Sequence, residues 1–229
     1  MGFSEHRARR CVRFSFDWRS SEEASWRAAQ VVADLETAMA GSDIPPDAPV
    51  VAMVGDLIWR KGPDLFVRVA MLVAERLGGP RAHFAWLGGE PGGPAFWRAE
   101  NRVHVEPPPV HFLGSRPDPY AWFGALDVFA LTSREDPFPR VCMEAAALEV
   151  PIVTFENGGA PELVAKGCGV VVPYLDLDAM ADAVVALVGD PERRRALGAR
   201  GREVVLADHT VASGGPATLA EIERGLART

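Results

Sequence analysis

The sequence lacks the features that define several whole classes of protein. No apolar run approaches the roughly 18 residues that a membrane-spanning helix needs. Only three cysteines occur, Cys11, Cys142 and Cys168, and because none forms a CxxC pair they indicate reduced, buried thiols rather than disulfides or zinc ligands. Positive charge is in the minority, with 24 Lys and Arg against 31 Asp and Glu for a net charge of −7. Nucleic-acid-binding domains are normally basic, so the composition argues against that class.

What is present is the composition of a soluble globular protein. The chain has 229 residues, of which 48% are hydrophobic and 24% charged, and this is enough to bury a substantial core. The N-terminal stretch contains arginine and serine but no continuous apolar region, so it is a poor secretory signal. We therefore expect a cytoplasmic protein that makes at most peripheral contact with a membrane.

The chain divides at a proline-rich linker that ends at residue 49. Residues 1–48 are a segment of unclear role that is partly helical, with a predicted helix over 27–40. Over 49–229, short apolar segments alternate with helical ones. The predicted strands are 49–55, 82–89, 110–114, 127–133, 151–155 and 169–173. The predicted helices are 61–79, 93–102, 118–125, 138–149, 160–166, 176–190, 191–208 and 216–227.

This alternation predicts an α/β fold. Strands that are apolar throughout are typical of a parallel sheet covered by helices on both faces. Right-handed crossovers then give a doubly wound, Rossmann-like sheet. Because ligands bind outside the carboxyl ends of such strands, the loops that follow the strands are the place to look for function.

The loop after the first strand carries two adjacent cations, Arg60 and Lys61, before a helix that starts near Pro63. Cations beside a helix N-terminus suit a diphosphate group. A solvated basic loop is the alternative interpretation. Lys61 is one of only two lysines among 24 basic residues, so its presence favours the functional interpretation slightly.

Two further loops carry related features. Asp136, in the loop after the fourth strand, and Glu144, in the following helix, are separated by seven residues, so both could face one crevice and accept hydrogen bonds from sugar hydroxyls. Alternatively, Asp136 only complements the helix dipole and Glu144 is solvated. In the loop after the fifth strand, Gly158 and Gly159 would let the backbone approach a ligand closely, although by themselves they indicate only a turn.

Taken together, these segments resemble a known family. The stretches that carry the resemblance are VVAMVGDLIWRKGPDLFVRVA, SREDPFPRVCMEAAALEVPIVTFENGGAPELV and CGVVVPYLDLDAMADAV. They closely resemble the C-terminal domain of retaining GT-B glycosyltransferases, the family 4-like group that shares the "glycosyl transferases group 1" domain, over about residues 47–210. The resemblance implies that residues 49–229 form a nucleotide-sugar-binding domain with closing helices, and that glycosyl transfer proceeds with retained configuration and without a metal or other cofactor.

The resemblance also implies roles for the carboxylates. The family's Glu-x7-Glu motif falls on Asp136 and Glu144, so Glu144 is expected to hold the donor ribose and the first position to meet the transferred sugar. This chain has Asp at that first position with Glu135 directly before it. Which of these two acids faces the sugar is left open by the sequence.

The donor phosphates have their own expected partners. The family's phosphate-binding lysine matches Lys61, which together with Asp136 and Glu144 makes up the expected catalytic set. An earlier family cation is replaced here by Asp56, and Arg60 is expected to substitute as a neighbour. Backbone amides around Phe138 are expected to lie near the donor.

The resemblance leaves the acceptor side open. Only 48 residues precede the first predicted strand, and they do not resemble the N-terminal acceptor-binding domain of the family. One interpretation is a donor-binding half that works with a partner chain on an unknown acceptor. The alternative is a non-catalytic nucleotide-sugar-binding or interaction module derived from a truncated glycosyltransferase.

Overall fold

A single six-stranded parallel sheet organises the chain in a computed structural model that describes residues 48–89, 110–115 and 119–226. The strand order is β3-β2-β1-β4-β5-β6. The strands are β1 (Val50–Val54), β2 (His83–Leu87), β3 (Val110–Gly114), β4 (Val128–Leu131), β5 (Ile152–Phe155) and β6 (Gly169–Val172). The helices are α1 (Pro63–Arg76), α2 (Pro119–Ala125), α3 (Arg140–Ala147), α4 (Ala160–Val164), α5 (Leu177–Gly189), α6 (Pro191–Asp208) and α7 (Val211–Leu226), with a short 3₁₀ turn at Trp59–Lys61.

The expected doubly wound α/β fold is confirmed. The strand order runs outward in both directions from β1 and β4, which is the Rossmann arrangement. Because the crossovers are right-handed, the helices that follow β1 and β4 lie on opposite faces of the sheet. Each of the six predicted strands is present, with ends that differ by at most two residues. The predicted helices over 27–40 and 93–102 lie outside the described residues.

The last helix corrects one expectation. It begins at Val211, five residues before the predicted start at Pro216. The Ser213 amide donates to Thr210 Oγ1 (3.1 Å) and the Thr210 amide donates to Ser213 Oγ (3.0 Å). This reciprocal cap starts the helix at Val211, so Pro216, where the predicted helix began, lies inside the helix.

The core is built on the strands, whose central residues are buried on both faces of the sheet. Phe66 of α1 packs edge-on against Phe84 and Trp86 of β2, with ring centroids 5.4 and 5.5 Å apart. Cys142 and Cys168 are free thiols inside this core, as expected, whereas Cys11 lies outside the described residues.

A buried carboxylate closes the amino edge of the sheet. Asp127, directly before β4, accepts a hydrogen bond from the Val50 amide of β1 (3.0 Å) and pairs with Arg194 of α6 (3.5 Å). The Arg194 guanidinium also donates to the carbonyls of Leu187 and Val188, both at 2.7 Å. Asp127 therefore ties β1, β4 and α6 together at the edge opposite the strand carboxyl ends.

Within the described residues, none of the helices has both the length and the apolar character that a membrane crossing requires.

Two histidines on neighbouring strands stack on each other, and we expect their protonation to destabilise the fold. His83 of β2 lies against His111 of β3, with Nδ1 and Nε2 of the two rings 3.3 Å apart. Burial lowers the pKa of His83, and the neighbouring His111 lowers it further. A histidine whose pKa is depressed in the folded state binds its proton preferentially in the unfolded chain. The stability it permits is therefore present above its ordinary pKa and is lost as the pH falls.

We predict that the free energy of unfolding falls between about pH 8 and about pH 5.5, and that His83→Gln flattens part of this fall. Urea unfolding of both chains at several pH values measures the effect. Parallel curves for the wild type and the variant would contradict the assignment.

Candidate functional site

Four loops meet at the carboxyl edge of the sheet, those after β1, β4, β5 and β6. The strand order reverses between β1 and β4, so a crevice for a ligand is expected there. The residues predicted from sequence lie on the first three of these loops and on α3.

The loop after β1 approaches β4 closely because of one glycine. Gly62 adopts a left-handed conformation (φ 70°) between the 3₁₀ turn and Pro63, the first residue of α1. A Cβ atom at Gly62 would lie 2.2 Å from the carbonyl oxygen of Thr132, so a larger residue does not fit. The Thr132 hydroxyl donates to the Gly62 carbonyl (3.1 Å) and secures the contact. Lys61 is thereby held at the start of α1, directly against the end of β4.

Lys61 and Asp136 form an ion pair at this point. The Lys61 Nζ contacts the Asp136 Oδ2, and the two side chains are only 14% and 10% exposed. Two predicted site residues that are 75 positions apart in sequence are therefore brought together. The lysine ammonium has three N–H donors, so it can contact a ligand while keeping its bond to Asp136.

Glu144 lies in the second turn of α3 and is half-buried. Within the part of the chain that the structure describes, its carboxylate makes no hydrogen bond. Burial raises the pKa of Glu144, and the nearby Arg140 opposes that rise. The Oγ of Ser133, just after β4, is also buried without a hydrogen-bond partner in the described residues. Both groups are suited to accept hydrogen bonds from a bound ligand.

The buried thiol of Cys142 is affected electrostatically by Glu144 and by both members of the ion pair. Burial is the main reason that the pKa of Cys142 is raised. Asp136 and Glu144 raise the pKa further, whereas Lys61 lowers it. All three charged groups therefore lie close enough to the first turn of α3 to act on the same thiol.

Glu135 and Arg60 occupy the rim. Glu135 is exposed, in contrast to Asp136, so the geometry favours Asp136 as the acid that faces into the site. The Arg60 guanidinium donates to the Glu135 carbonyl (3.1 Å), while the Arg60 carbonyl accepts from the amides of Arg134 (2.8 Å) and Glu135 (3.3 Å). Arg60 therefore links the loops after β1 and β4.

The glycines after β5 approach this same loop. Gly158 has a left-handed φ of 65°, and a Cβ atom there would lie 2.0 Å from the Asp136 carbonyl oxygen. The Gly159 amide donates to the Pro137 carbonyl (2.7 Å). Both glycines therefore lie against the loop that carries Asp136, and the close approach of their backbone to a ligand stays a prediction. Phe138, in the same loop, is 38% exposed, and its ring lies beside that of His209 with centroids 5.9 Å apart.

The ion pair between Arg134 and Asp64 was not predicted from the sequence. In the structure, the Arg134 guanidinium donates hydrogen bonds to both carboxylate oxygens of Asp64 (2.8 and 2.5 Å). It also lies over the Trp59 ring, 4.8 Å from the ring centroid. The hydrogen bonds that Arg134 donates to Asp64 are the main reason that the pKa of Arg134 is raised. The signal available in the sequence was the position of Arg134, two residues before Asp136.

The other lysine lies elsewhere. Lys166 is exposed and pairs with Asp208 of α6 (2.7 Å). Within residues 48–89, 110–115 and 119–226, no three His, Cys, Asp or Glu side chains are grouped so as to hold a metal ion.

The chain is a doubly wound α/β domain with the Lys61–Asp136 ion pair at its switch point, the place where ligands bind in such sheets. Residues 48–190 match the family model described as Glycosyl transferases group 1. The chain belongs to this family, as its sequence motifs predicted.

Relatives with described activities support this membership. Over 169 residues the chain is 34% identical to a GDP-mannose-dependent alpha-(1-6)-phosphatidylinositol monomannoside mannosyltransferase of Mycolicibacterium smegmatis, covering 70% of this chain and 44% of that protein. Over 162 residues it is 34% identical to a D-inositol 3-phosphate glycosyltransferase of Corynebacterium aurimucosum, covering 68% and 38%. The chain spans less than half the length of these two relatives.

Solved structures share the fold. Sucrose-phosphate synthase from Thermosynechococcus elongatus superposes with a TM-score of 0.67 at 27% identity, covering 86% of this chain and 50% of that one. HepE from Anabaena, in complex with UDP and glucose, superposes with a TM-score of 0.69 at 21% identity, covering 90% and 54%.

The unpartnered Glu144 leads to a stability prediction. Its pKa is raised by folding, so the stability it provides is present at low pH and is lost as the pH rises through its folded-state pKa. At neutral pH the ionised group therefore opposes folding. Glu144→Gln should raise the melting temperature of the ligand-free protein by about 1–2 °C at neutral pH and should have less effect at acid pH. Calorimetry at both pH values measures this, and a lower melting temperature for the variant at neutral pH would contradict it.

Proposed function

We propose that this domain binds the nucleotide-sugar donor of a glycosyl transfer that proceeds with retained configuration. The observation that carries the proposal is the Lys61–Asp136 pair at the start of α1. Nearby, the Glu144 carboxylate makes no hydrogen bond to any of the described residues. A cation at a helix N-terminus suits phosphate, and carboxylate oxygens suit vicinal hydroxyl groups.

Each side chain has a place in this proposal. Lys61, with Arg60 and the first amides of α1, takes the diphosphate. Glu144 accepts the ribose hydroxyls, for which its carboxylate has no competing hydrogen bond in the described residues. Asp136, the less exposed of the two adjacent acids, faces the transferred sugar and keeps the Lys61 ammonium oriented.

The chemistry follows from where charge develops. As the bond between the anomeric carbon and the phosphate oxygen breaks, the diphosphate gains negative charge and the sugar ring becomes cationic. Lys61, Arg60 and the helix amides stabilise the departing diphosphate, and no metal ion is required. Preorganised donors of this kind typically contribute a few kcal/mol each. The acceptor oxygen attacks from the face that the diphosphate leaves, and its proton passes to the departing phosphate oxygen.

The relatives suggest which donor and acceptor to test first. The mycobacterial relative is named as GDP-mannose-dependent and the corynebacterial one as acting on D-inositol 3-phosphate. We propose GDP-mannose as the first donor, with UDP and ADP sugars as comparisons, and an inositol-containing acceptor. Residues 48–190 account for the donor side, so we assign acceptor binding to polypeptide outside that match, in this chain or in a partner chain.

The two lysines provide a matched test of the phosphate site. Lys61→Ala should weaken binding of GDP, or of whichever nucleoside diphosphate binds the wild type, by about tenfold or more, because a charge-assisted hydrogen bond is lost. Lys166→Ala removes an equal charge from an exposed pair and should change affinity by less than about twofold. Titration calorimetry on the folded variants measures both. Equal losses would contradict the site, and no binding of any nucleotide by the folded wild type would overturn the proposed function.

The ribose role of Glu144 has its own test. Glu144→Gln should cost about 1–3 kcal/mol in nucleotide binding, and Glu144→Ala at least as much, because a charged acceptor is lost. A 2′,3′-dideoxynucleotide should bind the wild type more weakly than the normal nucleotide but should show little further loss in Glu144→Ala. If the wild type binds both nucleotides equally, Glu144 does not hold the ribose.

A further inference from the structure

Arg134 is the most heavily bonded side chain near the candidate site, yet it has no place among the proposed donor contacts. Its guanidinium holds Asp64 through two hydrogen bonds, donates to the Trp59 carbonyl (3.0 Å) and covers the Trp59 ring. Its side chain is only 12% exposed. These partners take three of its five N–H donors, and together with its low exposure this favours a structural role over a direct contact with a ligand.

The backbone of Arg134 extends the same connections to two further loops. Its carbonyl accepts hydrogen bonds from the Asn157 side chain, in the loop after β5, and from the Tyr174 hydroxyl (3.2 Å), in the loop after β6. Its amide donates to the Arg60 carbonyl, in the loop after β1. One residue therefore joins all four loops that surround the crevice.

These bonds bracket the ion pair. Trp59 and Arg60, whose carbonyls Arg134 holds, directly precede Lys61, and Asp64 follows it in the first turn of α1. Arg134 itself lies two residues before Asp136. The contacts of Arg134 therefore lie on both sides of Lys61 in sequence and close to Asp136 in the loop after β4.

We infer that Arg134 is a positioning residue of the donor site, which holds Lys61 and Asp136 in the geometry that receives the donor diphosphate by clamping the loop after β1 to the loop after β4. This inference rests on the proposed donor binding. The clamp needs the planar fork of arginine, because a single ammonium cannot hold both Asp64 oxygens and lie flat on Trp59.

The first experiment is a double-mutant cycle on nucleotide affinity. Arg134→Ala, Asp64→Ala and the double variant are titrated with GDP and UDP by calorimetry, well below their melting temperatures. If Arg134 acts through Asp64, each single variant loses about tenfold in affinity and the double variant loses no more than either. Additive losses would show that Arg134 does not act through Asp64 and would overturn the proposed clamp, as would single variants that bind like the wild type.

The matched control is the arginine–aspartate pair at the opposite edge of the sheet. Arg194 and Asp127 are about as buried as Arg134 and Asp64, with side-chain exposures of 15% and 10% against 12% and 18%. Arg194→Ala should lower the melting temperature but leave nucleotide affinity within about twofold of the wild type. A loss of affinity as large as that in Arg134→Ala would show a general effect of destabilisation and would defeat the inference.

Arg134→Lys separates charge from shape. It keeps the positive charge beside the site but cannot form the fork, so its affinity should resemble that of Arg134→Ala. Affinity equal to that of the wild type would show that charge alone matters and would contradict the clamp.

A ligand-free measurement keeps the inference testable on its own. With ¹³C-labelled lysine, the chain gives signals from only two lysine side chains, Lys61 and Lys166. Arg134→Ala and Asp64→Ala should move the Lys61 signal in the same direction and leave that of Lys166 in place, whereas Arg194→Ala should move neither. An unmoved Lys61 signal would refute the clamp. Failure of the wild type to bind GDP or UDP would instead refute the proposed function, with the clamp still decided by these spectra.

Discussion

The close approach of the loop after β1 to the end of β4 is the constraint on which the candidate site depends. Gly62 makes it possible, because a Cβ atom at this position would collide with the Thr132 carbonyl oxygen. The approach brings a lysine at the start of a helix onto an aspartate that is 75 residues away in sequence. The buried sheet holds both strands in register, so the hydrophobic core determines where these charges meet.

The site also carries an energetic cost that a ligand would relieve. Lys61 and Asp136 offset each other's burial, whereas Glu144 is half-buried without a hydrogen bond in the described residues, and its raised pKa is the consequence. Binding groups held in this way weaken the empty fold and become favourable when hydroxyl donors arrive. In the proposed function, this difference assigns Asp136 to the transferred sugar and Glu144 to the ribose.

Much of the fold could be predicted because apolar strands and amphipathic helices are local patterns. The resemblance to glycosyltransferases then singled out Lys61, Asp136 and Glu144. The fork between Arg134 and Asp64 could not be predicted, because it joins residues 70 positions apart and depends on how two loops meet in space. For the same reason, the sequence predicted that the backbone at Gly158 could approach a ligand but not that it lies against the Asp136 carbonyl. The start of α7 was misplaced because the side-chain cap between Thr210 and Ser213 begins the helix five residues before Pro216.

We propose that Lys61 receives the donor diphosphate, whereas Lys166 takes no part in binding. Titration of the ¹³C-lysine-labelled chain with GDP-mannose, and with UDP-glucose as the comparison, tests this directly because the sequence has only these two lysines. We expect one donor to shift the Lys61 signal in a saturable way and to leave the Lys166 signal unchanged. Saturable binding that leaves Lys61 unmoved, or that moves both lysines equally, would contradict it.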